Sequence, residues 1–548
     1  MTSPPMPSIT IDGKTCEFDG RQTILQVALD NGVAIPHYCY HPGLSVVASC
    51  RICLAEVAQP DPRKDNELSL IPKLVPTCQT PAVDGAEVYL QSDKSRANQQ
   101  AVMEYLLINH PLDCPVCDQA GECHLQDYSY EYGRGHSRFE EAKIKQPKKD
   151  IGPNVWLYSD RCIMCTRCVR FTREVTGTSE ICVNGRGNTE EIDVFPGKAL
   201  DNPLSANVVD ICPVGALLDK DFLFSQRVWF LTSTPSIDGL TASGDNIFIE
   251  HNEGRVYRIK PRANADVNQW WISDEIRYSW KSVHHEDRLL NPLIQQDGQP
   301  TESEWSVAYE RALAGLRDAA DNGKRLAAMI SPMLSCEEAF ALAQFVRGVD
   351  DRAVLGVGPI PADGQDQTFP GGYTIYAEKA PNARGVRRVL EQIAGQGNVP
   401  DYASLLGRLN SDEVGAVLLT GNYPQSCIDE KLTAAASGKF TVSIDIWPAA
   451  LAGTADVTLP GATWAEKSGT FESIQGRLQT FEPAITVLEL ARAEGRIATD
   501  LMVLAGLADP GRFDAAQIRA KLGGVFVTDV HQPGPELQRT ADMQYVEI

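Results

Sequence analysis

Short runs of alternating apolar and polar residues open the chain. Ser8–Asp12 and Thr15–Phe18 read as a hairpin turning on Asp12-Gly13, and ILQVALDN at Ile24–Asn31 has the spacing of an amphipathic helix. Ile52–Val57 and Glu87–Gln91 read as further strands. Ser95–Ile108 reads as a helix ended by Asn109 and Pro111. Far downstream, strand-like stretches at Arg325–Ser331, Ala353–Val357, Ala416–Thr420, Phe440–Asp445 and Asp456–Leu459 alternate with helical patterns at Glu337–Arg347 and Val386–Ile393. Such alternation predicts α/β layers on a mostly parallel sheet. The Pro/Asp-rich stretch Gln59–Glu67 reads as an exposed insertion, and the polar tail from Asp529 as loosely ordered.

Length refines this to three or four domains, since the chain has 548 residues. With 43% hydrophobic and 22% charged residues, wholesale disorder is excluded. Acidic residues outnumber basic ones by 72 to 50, a net charge of −22, the reverse of what phosphate-binding surfaces require. No run approaches the roughly 18 apolar residues of a membrane span, and Met1-Thr2-Ser3-Pro4-Pro5 lacks the features of a signal peptide. The expectation is a soluble intracellular protein that binds no nucleic acid.

In that setting the 15 cysteines point to metal or redox chemistry, because disulfides are rare in reducing compartments. All but Cys336 and Cys427 precede residue 213, and three groups stand out. The first is Cys39, Cys50, Cys53 and Cys78. Its surrounding order of strand, strand, helix, cysteine loop and strands is that of a β-grasp ferredoxin. The C-x2-C pair and distant fourth cysteine match plant-type 2Fe–2S spacing, although the first gap is longer, at ten residues. A redox dithiol or half of a zinc site are the competing readings of Cys50 and Cys53.

The second group packs His110, Cys114, Cys117 and Cys123 into fourteen residues, dense enough to wrap one centre, with Cys3His zinc as the competitor. The third is Cys162-Ile-Met-Cys165-Thr-Arg-Cys168 with a distant Cys212-Pro213, the cubane-binding run of bacterial ferredoxins with its Cys-Pro partner. Cys16, Cys182, Cys336 and Cys427 are left over and read as small buried apolar residues.

The order of these motifs resembles the large iron–sulfur subunit of respiratory complex I, the G-type (75 kDa-type) subunit family of NADH–quinone oxidoreductase. The resemblance covers the first 280 residues motif by motif. It implies a 2Fe–2S cluster on Cys39, Cys50, Cys53 and Cys78. It implies one 4Fe–4S cluster on His110, Cys114, Cys117 and Cys123, and a second on Cys162, Cys165, Cys168 and Cys212. Leu231–Glu250, where some bacterial members carry a further cubane, has no cysteine. Members without that cluster look similar at Ser236-Ile237-Asp238 and Trp271-Ile272-Ser273-Asp274.

From about residue 226 the chain resembles a molybdopterin-oxidoreductase domain without its cofactor, shortened even for this family, and Thr463–Gln479 resembles the end of that domain's core. Gly371-Gly372 and Gly421-Asn422 read as turns. The expected architecture is therefore α+β iron–sulfur domains followed by an α/β domain. Its parts are a β-grasp 2Fe–2S domain (1–92), a His/Cys3 4Fe–4S domain (93–150), a 4Fe–4S ferredoxin-like domain (151–225) and a cofactor-free molybdopterin-oxidoreductase-like domain (226–548).

The resemblance further implies an electron-transfer subunit in the peripheral arm of a translocating NADH:quinone oxidoreductase, with no catalytic residues and no substrate-converting site of its own. Electrons would pass from a flavin/NADH subunit to the 2Fe–2S cluster, the Cys162-group cubane and the His110-group cubane, then to a two-cluster ferredoxin-like subunit. Other peripheral-arm subunits are further implied partners. In a bacterium the chain would sit on the cytoplasmic face of the inner membrane, held only through partners. No G-x-G-x-x-G nucleotide fingerprint stands between a strand and a helix, so no flavin or nicotinamide site is expected, and the roughly 320 residues left are too few for a working molybdopterin domain. The wire subunit of a soluble NAD-linked hydrogenase or formate dehydrogenase, and a zinc-stabilised scaffold, are the alternatives. Arg51, Arg167 and Arg170 are candidates to stabilise reduced clusters or else solvated arginines. The basic run Lys143–Lys149 reads as a solvated linker or a docking site for an acidic partner.

Overall fold

The computed structural model describes residues 6–425, 429–448, 455–523 and the backbone of Val530–His531. Cys427, and all but two residues of the tail from Asp529, lie outside the described residues. The described chain forms two compact units, one over residues 6–231 with 369–373, the other over the remainder.

In the first unit Ser8–Ile11 and Lys14–Glu17 form the hairpin, and Asp12 (φ 45°) and Gly13 (φ 87°) make its left-handed turn. Ile24–Asp30 is helical because Thr23 and Gln26 cap it reciprocally, and Ile24, Leu25, Val27 and Ala28 face the core. The sheet runs Lys14–Glu17, Ser8–Ile11, Glu87–Tyr89, Leu54–Asp61, Glu67–Leu70, with Val75–Pro76 paired on Leu54–Asp61. Ser8–Ile11 and Glu87–Tyr89 pair in parallel across the whole segment, which closes the β-grasp over the helix. The stretch expected as a loose insertion is exposed, yet it is a hairpin. Leu54–Asp61 pairs antiparallel with Glu67–Leu70, and an Asp61-capped turn joins them.

Asp93–Leu107 is the next helix, capped by Ser92, and His124–Tyr132 packs near it. The basic run is exposed over most of its length, as a solvated linker would be, but three of its lysines are engaged. Lys143 Nζ caps the carbonyls of Leu107 (2.7 Å) and Ile108 (3.0 Å) at that helix's C-terminal end, where positive charge is favoured. Lys148–Asp150 joins a sheet with Val155–Tyr158 and Leu217–Asp219. There Lys149 pairs with Glu191 and Asp193, and Lys148 lies 4.3 Å over the Trp156 ring.

The second unit starts with an antiparallel sheet of Thr232–Ile237, Asn246–Asn252 and Arg255–Pro261. Its main sheet has seven strands. Val457–Pro460, Phe440–Asp445, Val414–Thr420, Arg325–Ile330 and Val354–Val357 are parallel, and the hairpin Leu293–Gln296/Gln299–Glu302 adds an antiparallel edge. Buried helix faces of Trp305–Asp321, Cys336–Val349 and Ala383–Ala394 enclose the core with Leu326, Leu418, Val442 and Val457. Gly421-Asn422 directly follows the strand Val414–Thr420, with Asn422 at φ 71° and its N–H on Asp445.

Charge is also buried in this unit. Lys467 Nζ lies 2.7 Å from Glu494 and 3.1 Å from Glu338, and Arg288 lies 3.0 Å from Glu466, all essentially fully buried. Cys336 occupies the first turn of its helix beside the reciprocal Ser335/Glu338 cap, fully buried, with Asn382 Oδ1 3.6 Å from its sulfur.

Candidate iron–sulfur sites

Each of the three cysteine groups meets in space, and all three lie in the first unit. Cys39, Cys50, Cys53 and Cys78 come from the loop after the first helix and from the segment after Val75–Pro76. The thiols of Cys50 and Cys78 hydrogen-bond the Cys39 sulfur, which pulls its pKa far below the ordinary thiol value and pushes both of theirs up. Cys78 also bonds Cys53, brought down to about 7. Such a knot of thiols, each within reach of the next, has the chemistry of a four-sulfur donor set. The loop is wound tightly by two left-handed residues, Ala48 (φ 51°) and Arg51 (φ 63°). Arg51 itself is exposed, so that arginine is a solvated one.

The second group, His110, Cys114, Cys117 and Cys123, lines one small hollow together with Asp113, Arg161 and Gly215. Cys114 is exposed, whereas Cys117 and Cys123 are buried. Burial, then the positive Arg161 and Lys143, lowers the His110 pKa to about 4, so its imidazole is neutral, the form that ligates metal. Burial raises Cys117 and pushes Cys123 up to about 12; only a bound cation would draw off those protons. Arg227 holds the loop shape by donating to the carbonyls of Cys114, Pro115 and Cys117.

The third group, Cys162, Cys165, Cys168 and Cys212, lines one small hollow with apolar Leu157, Ile163, Ile192, Val214 and Leu217 and with Thr166 and Arg167. Burial raises all four thiols, Cys212 to about 11. Within the run, Met164 (φ 52°) and Thr166 (φ 59°) are left-handed, and the Met164 N–H points at Cys162 Sγ, 3.4 Å away. Alternation of right- and left-handed residues aims backbone N–H groups inward and makes an anion-receiving concavity of the kind found at Fe–S centres. Among the described residues, no group of three or more His, Cys, Asp or Glu is placed to hold a single metal ion.

A glycine tests the fit independently. A Cβ on Gly215 would stand 2.3 Å from Cys117 Sγ and 3.1 Å from Gln119 Cβ, so only glycine lets this turn press against the second hollow. Donor chemistry, N–H concavity and this close approach all fit iron–sulfur clusters of the expected types.

The sites are also linked. The turn after Cys212 walls the third hollow with Val214 and Ala216 and the second with Gly215, and Pro213 O accepts from His124 N–H at 3.1 Å. Arg161, next to Cys162 in sequence, lines the second hollow and is fixed by Asp113 at 2.8 Å and by the Tyr158 ring. Arg167 and Arg170 are buried, not solvated. Arg167 donates to Tyr40 O and Ile211 O, and Arg170 to Cys39 O, Ser45 O and Cys165 O. Between the first and second groups the contact is aromatic, Tyr38 against Tyr128 with centroids 5.2 Å apart.

Sequence reading alone passed over Arg161 and Gly215, although an arginine directly before a C-x2-C-x2-C run and a glycine directly after Cys-Pro-Val were available as signals. Of the remaining cysteines, Cys16 is in the core of the first unit, while Cys182 on Ile181–Asn184 is only half-buried. That corrects the expectation of a buried Cys182: on its two-stranded ribbon it is Ile181 and Ile192 that are buried.

Comparison with known proteins agrees with this layout. Family models match in series: a 2Fe–2S iron–sulfur cluster binding domain (residues 6–93), an NADH-ubiquinone oxidoreductase-G iron–sulfur binding region (99–138) and an NADH-quinone oxidoreductase subunit 3 ferredoxin-like domain (152–218). An NDSU1/NuoG-like 4Fe–4S domain (231–281, which contains no cysteine) and a molybdopterin oxidoreductase domain (364–502) follow. The chain is 40% identical over 332 residues to the NADH-ubiquinone oxidoreductase 75 kDa subunit of Reclinomonas americana, covering 61% of this chain and 46% of that protein. It is 36% identical over 337 residues to the G-type subunit of NADH-quinone oxidoreductase from Rickettsia felis, covering 62% and 48%. The chain thus spans about half the length of the curated relatives it matches. A chain from a crystal structure of an NAD+-reducing [NiFe]-hydrogenase in the H2-reduced state is 30% identical, covering 40% of this chain and 91% of its own, with a TM-score of 0.35.

Proposed function

We propose, for a chain that is a homologue of the G-type subunit of NADH-quinone oxidoreductase and carries that family's iron–sulfur domains, that it is an electron-transfer subunit of such an oxidoreductase. One 2Fe–2S cluster is held by Cys39, Cys50, Cys53 and Cys78. One 4Fe–4S cluster is held by His110, Cys114, Cys117 and Cys123, and another by Cys162, Cys165, Cys168 and Cys212. When bound, these groups supply one-electron redox chemistry, and the protein sets their potentials through charge, hydrogen bonds and exposure. The chain's own contribution is to hold neutral imidazole and thiolates around each hollow and to keep water from the buried third group. The observation that carries the reading is the convergence of all twelve donors into three four-donor sets in one unit.

Contacts in the first unit support the order first group, third group, second group. Arg167 and Arg170 tie the first group's loop to the third, and the Cys212–Ala216 turn with Arg161 ties the third to the second. Electrons enter from a flavin-bearing NADH-oxidising partner and leave to a ferredoxin-like partner of the peripheral arm, and the chain reaches the membrane only through partners. Among the described residues no helix is long and apolar enough to cross a membrane. The second unit carries the molybdopterin-oxidoreductase-like fold and no molybdopterin.

Metal analysis with EPR on anaerobically purified protein tests the reading. About ten irons per chain and three reducible paramagnetic centres are expected, from one two-iron and two four-iron clusters. Zinc in place of iron, or no reducible centre, refutes it.

A further inference from the structure

Arg170 belongs to two candidate cluster sites at once. It sits two residues after Cys168 and is 3% exposed. One guanidinium nitrogen, Nη2, donates to the carbonyl of Cys39 at 2.5 Å and to that of Cys165 at 3.2 Å, and Nη1 reaches the carbonyl of Ser45. Cys39 and Cys165 lie 126 positions apart in sequence and belong to different donor sets, so this one nitrogen bridges the two loops.

We propose that Arg170 is a positioning residue that sets the reduction potentials of the first-group and third-group clusters together. The inference rests on the iron–sulfur assignment above.

The physical argument has three parts. A guanidinium remains charged even when buried, and its planar fork fixes direction as well as charge. Each of the two donor sets carries four thiolates when loaded, so an added electron on either cluster is stabilised by a nearby positive charge, strongly so where water is excluded. Neutralising charges are sparse nearby. Glu174 is the acidic group that faces Arg170, and it is engaged by Ser45 (N–H 2.9 Å, Oγ 2.7 Å) and by Arg173 (2.8 Å). Arg167 adds a second cation, directed instead to Tyr40 O and Ile211 O. The third-group thiols thus lie beside two cations, Arg167 in the wall of their hollow and Arg170 on the Cys165 carbonyl, and the peptide carbonyls between the Arg170 guanidinium and sulfur pass its polarisation to both ligands.

The His110 group receives no bond from Arg170; the cations beside it are Arg161, Arg227 and Lys143. The proposal therefore predicts a pattern: two centres respond to position 170 and the third does not.

Redox titration followed by EPR on the full chain, for wild type, Arg170→Gln and Arg170→Lys, reads this directly. Arg170→Gln is expected to lower the reduced-to-oxidised ratio of both the 2Fe–2S centre and the Cys162-group cubane at least tenfold at fixed ambient potential. For a one-electron couple that corresponds to about 59 mV toward more negative potential. Arg170→Lys, which keeps the charge and loses the fork, is expected to recover more than half of each shift. The His110-group centre is expected to titrate as in wild type.

Unshifted potentials in Arg170→Gln with all three signals present overturn the inference and leave the cluster assignment standing. A shift in only one of the two centres, or an equal shift in all three, likewise overturns it. If Arg170→Gln fails to assemble clusters, the equally uncharged Arg170→Met decides: a shift confined to the two linked centres supports the proposal, and wild-type potentials throughout refute it. Absence of iron–sulfur signals from the wild type overturns the assignment itself.

Discussion

Gly215→Ala puts the second site to the sharpest steric test. The added methyl would lie 2.3 Å from Cys117 Sγ, where ordinary contact begins at 3.4 Å, so sulfur or backbone must yield by about 1.1 Å. Neither side yields easily. Cys117 is buried with its carbonyl bonded by Arg227, and the Gly215 turn is held by the His124 N–H to Pro213 O bond and by Cys212. Overpacking of this kind costs about 1–3 kcal/mol. Metal–ligand distances, by contrast, tolerate only about 0.2 Å. The displacement is several times that tolerance, so the His110-group cubane should be lost or altered before the fold is. The assay is iron per chain with EPR on anaerobic protein, alongside calorimetry. Expected are about four irons fewer or a changed signal for that one centre, with the melting temperature of the first unit lowered by about 2–10 °C. A full iron complement with three wild-type signals would mean that Cys117 does not hold a cluster against this turn.

Three further outcomes follow from other residues. His110→Ala should remove or alter the same cubane signal and leave the 2Fe–2S signal intact; three unchanged signals would exclude His110 as a ligand. For the apo protein, the His110 pKa of about 4 lies below its unfolded value near 6.5, so the unfolded chain takes up the proton first. Stability is therefore full above pH 6.5, falls as pH drops from 6.5 toward 4, and loses up to about 3 kcal/mol from this group; His110→Gln should flatten that slope in denaturant titrations. Lys467→Ala would leave Glu338 and Glu494 buried without their cation and should destabilise the second unit by about 3–5 kcal/mol, read as a lowered calorimetric transition, with cluster signals as in wild type.

Local signals carried much of the fold. The capped helices Ile24–Asp30 and Cys336–Val349 and the five parallel strands appear within a residue or three of where periodicity and capping put them, because burial period and cap chemistry are written in adjacent residues. The three groups that meet in space were legible for the same reason, since most of their members stand at short spacings. What was not legible depends on partners far along the chain. Lys143–Lys149 looked like a free basic run because Leu107, Glu191 and Asp193, which engage it, are distant in sequence. Arg167 and Arg170 left two readings open until Cys39, Tyr40 and Ile211 were seen to accept from them. Gly215 carried no special backbone conformation to flag it; its requirement comes from a sulfur 98 positions upstream.

The Cys212–Ala216 turn also bounds a length. From Cys212 to Gly215 the backbone has three steps, which at full extension cover no more than about 11 Å. A donor of one centre and a wall of another are therefore tethered by a covalent ruler that cannot be stretched. Surface connections ordinarily accept extra residues. Here a single inserted residue would either push the glycine out of the hollow or drag Cys212 from its set, so insertions recorded among related sequences should stop short of this turn on both sides.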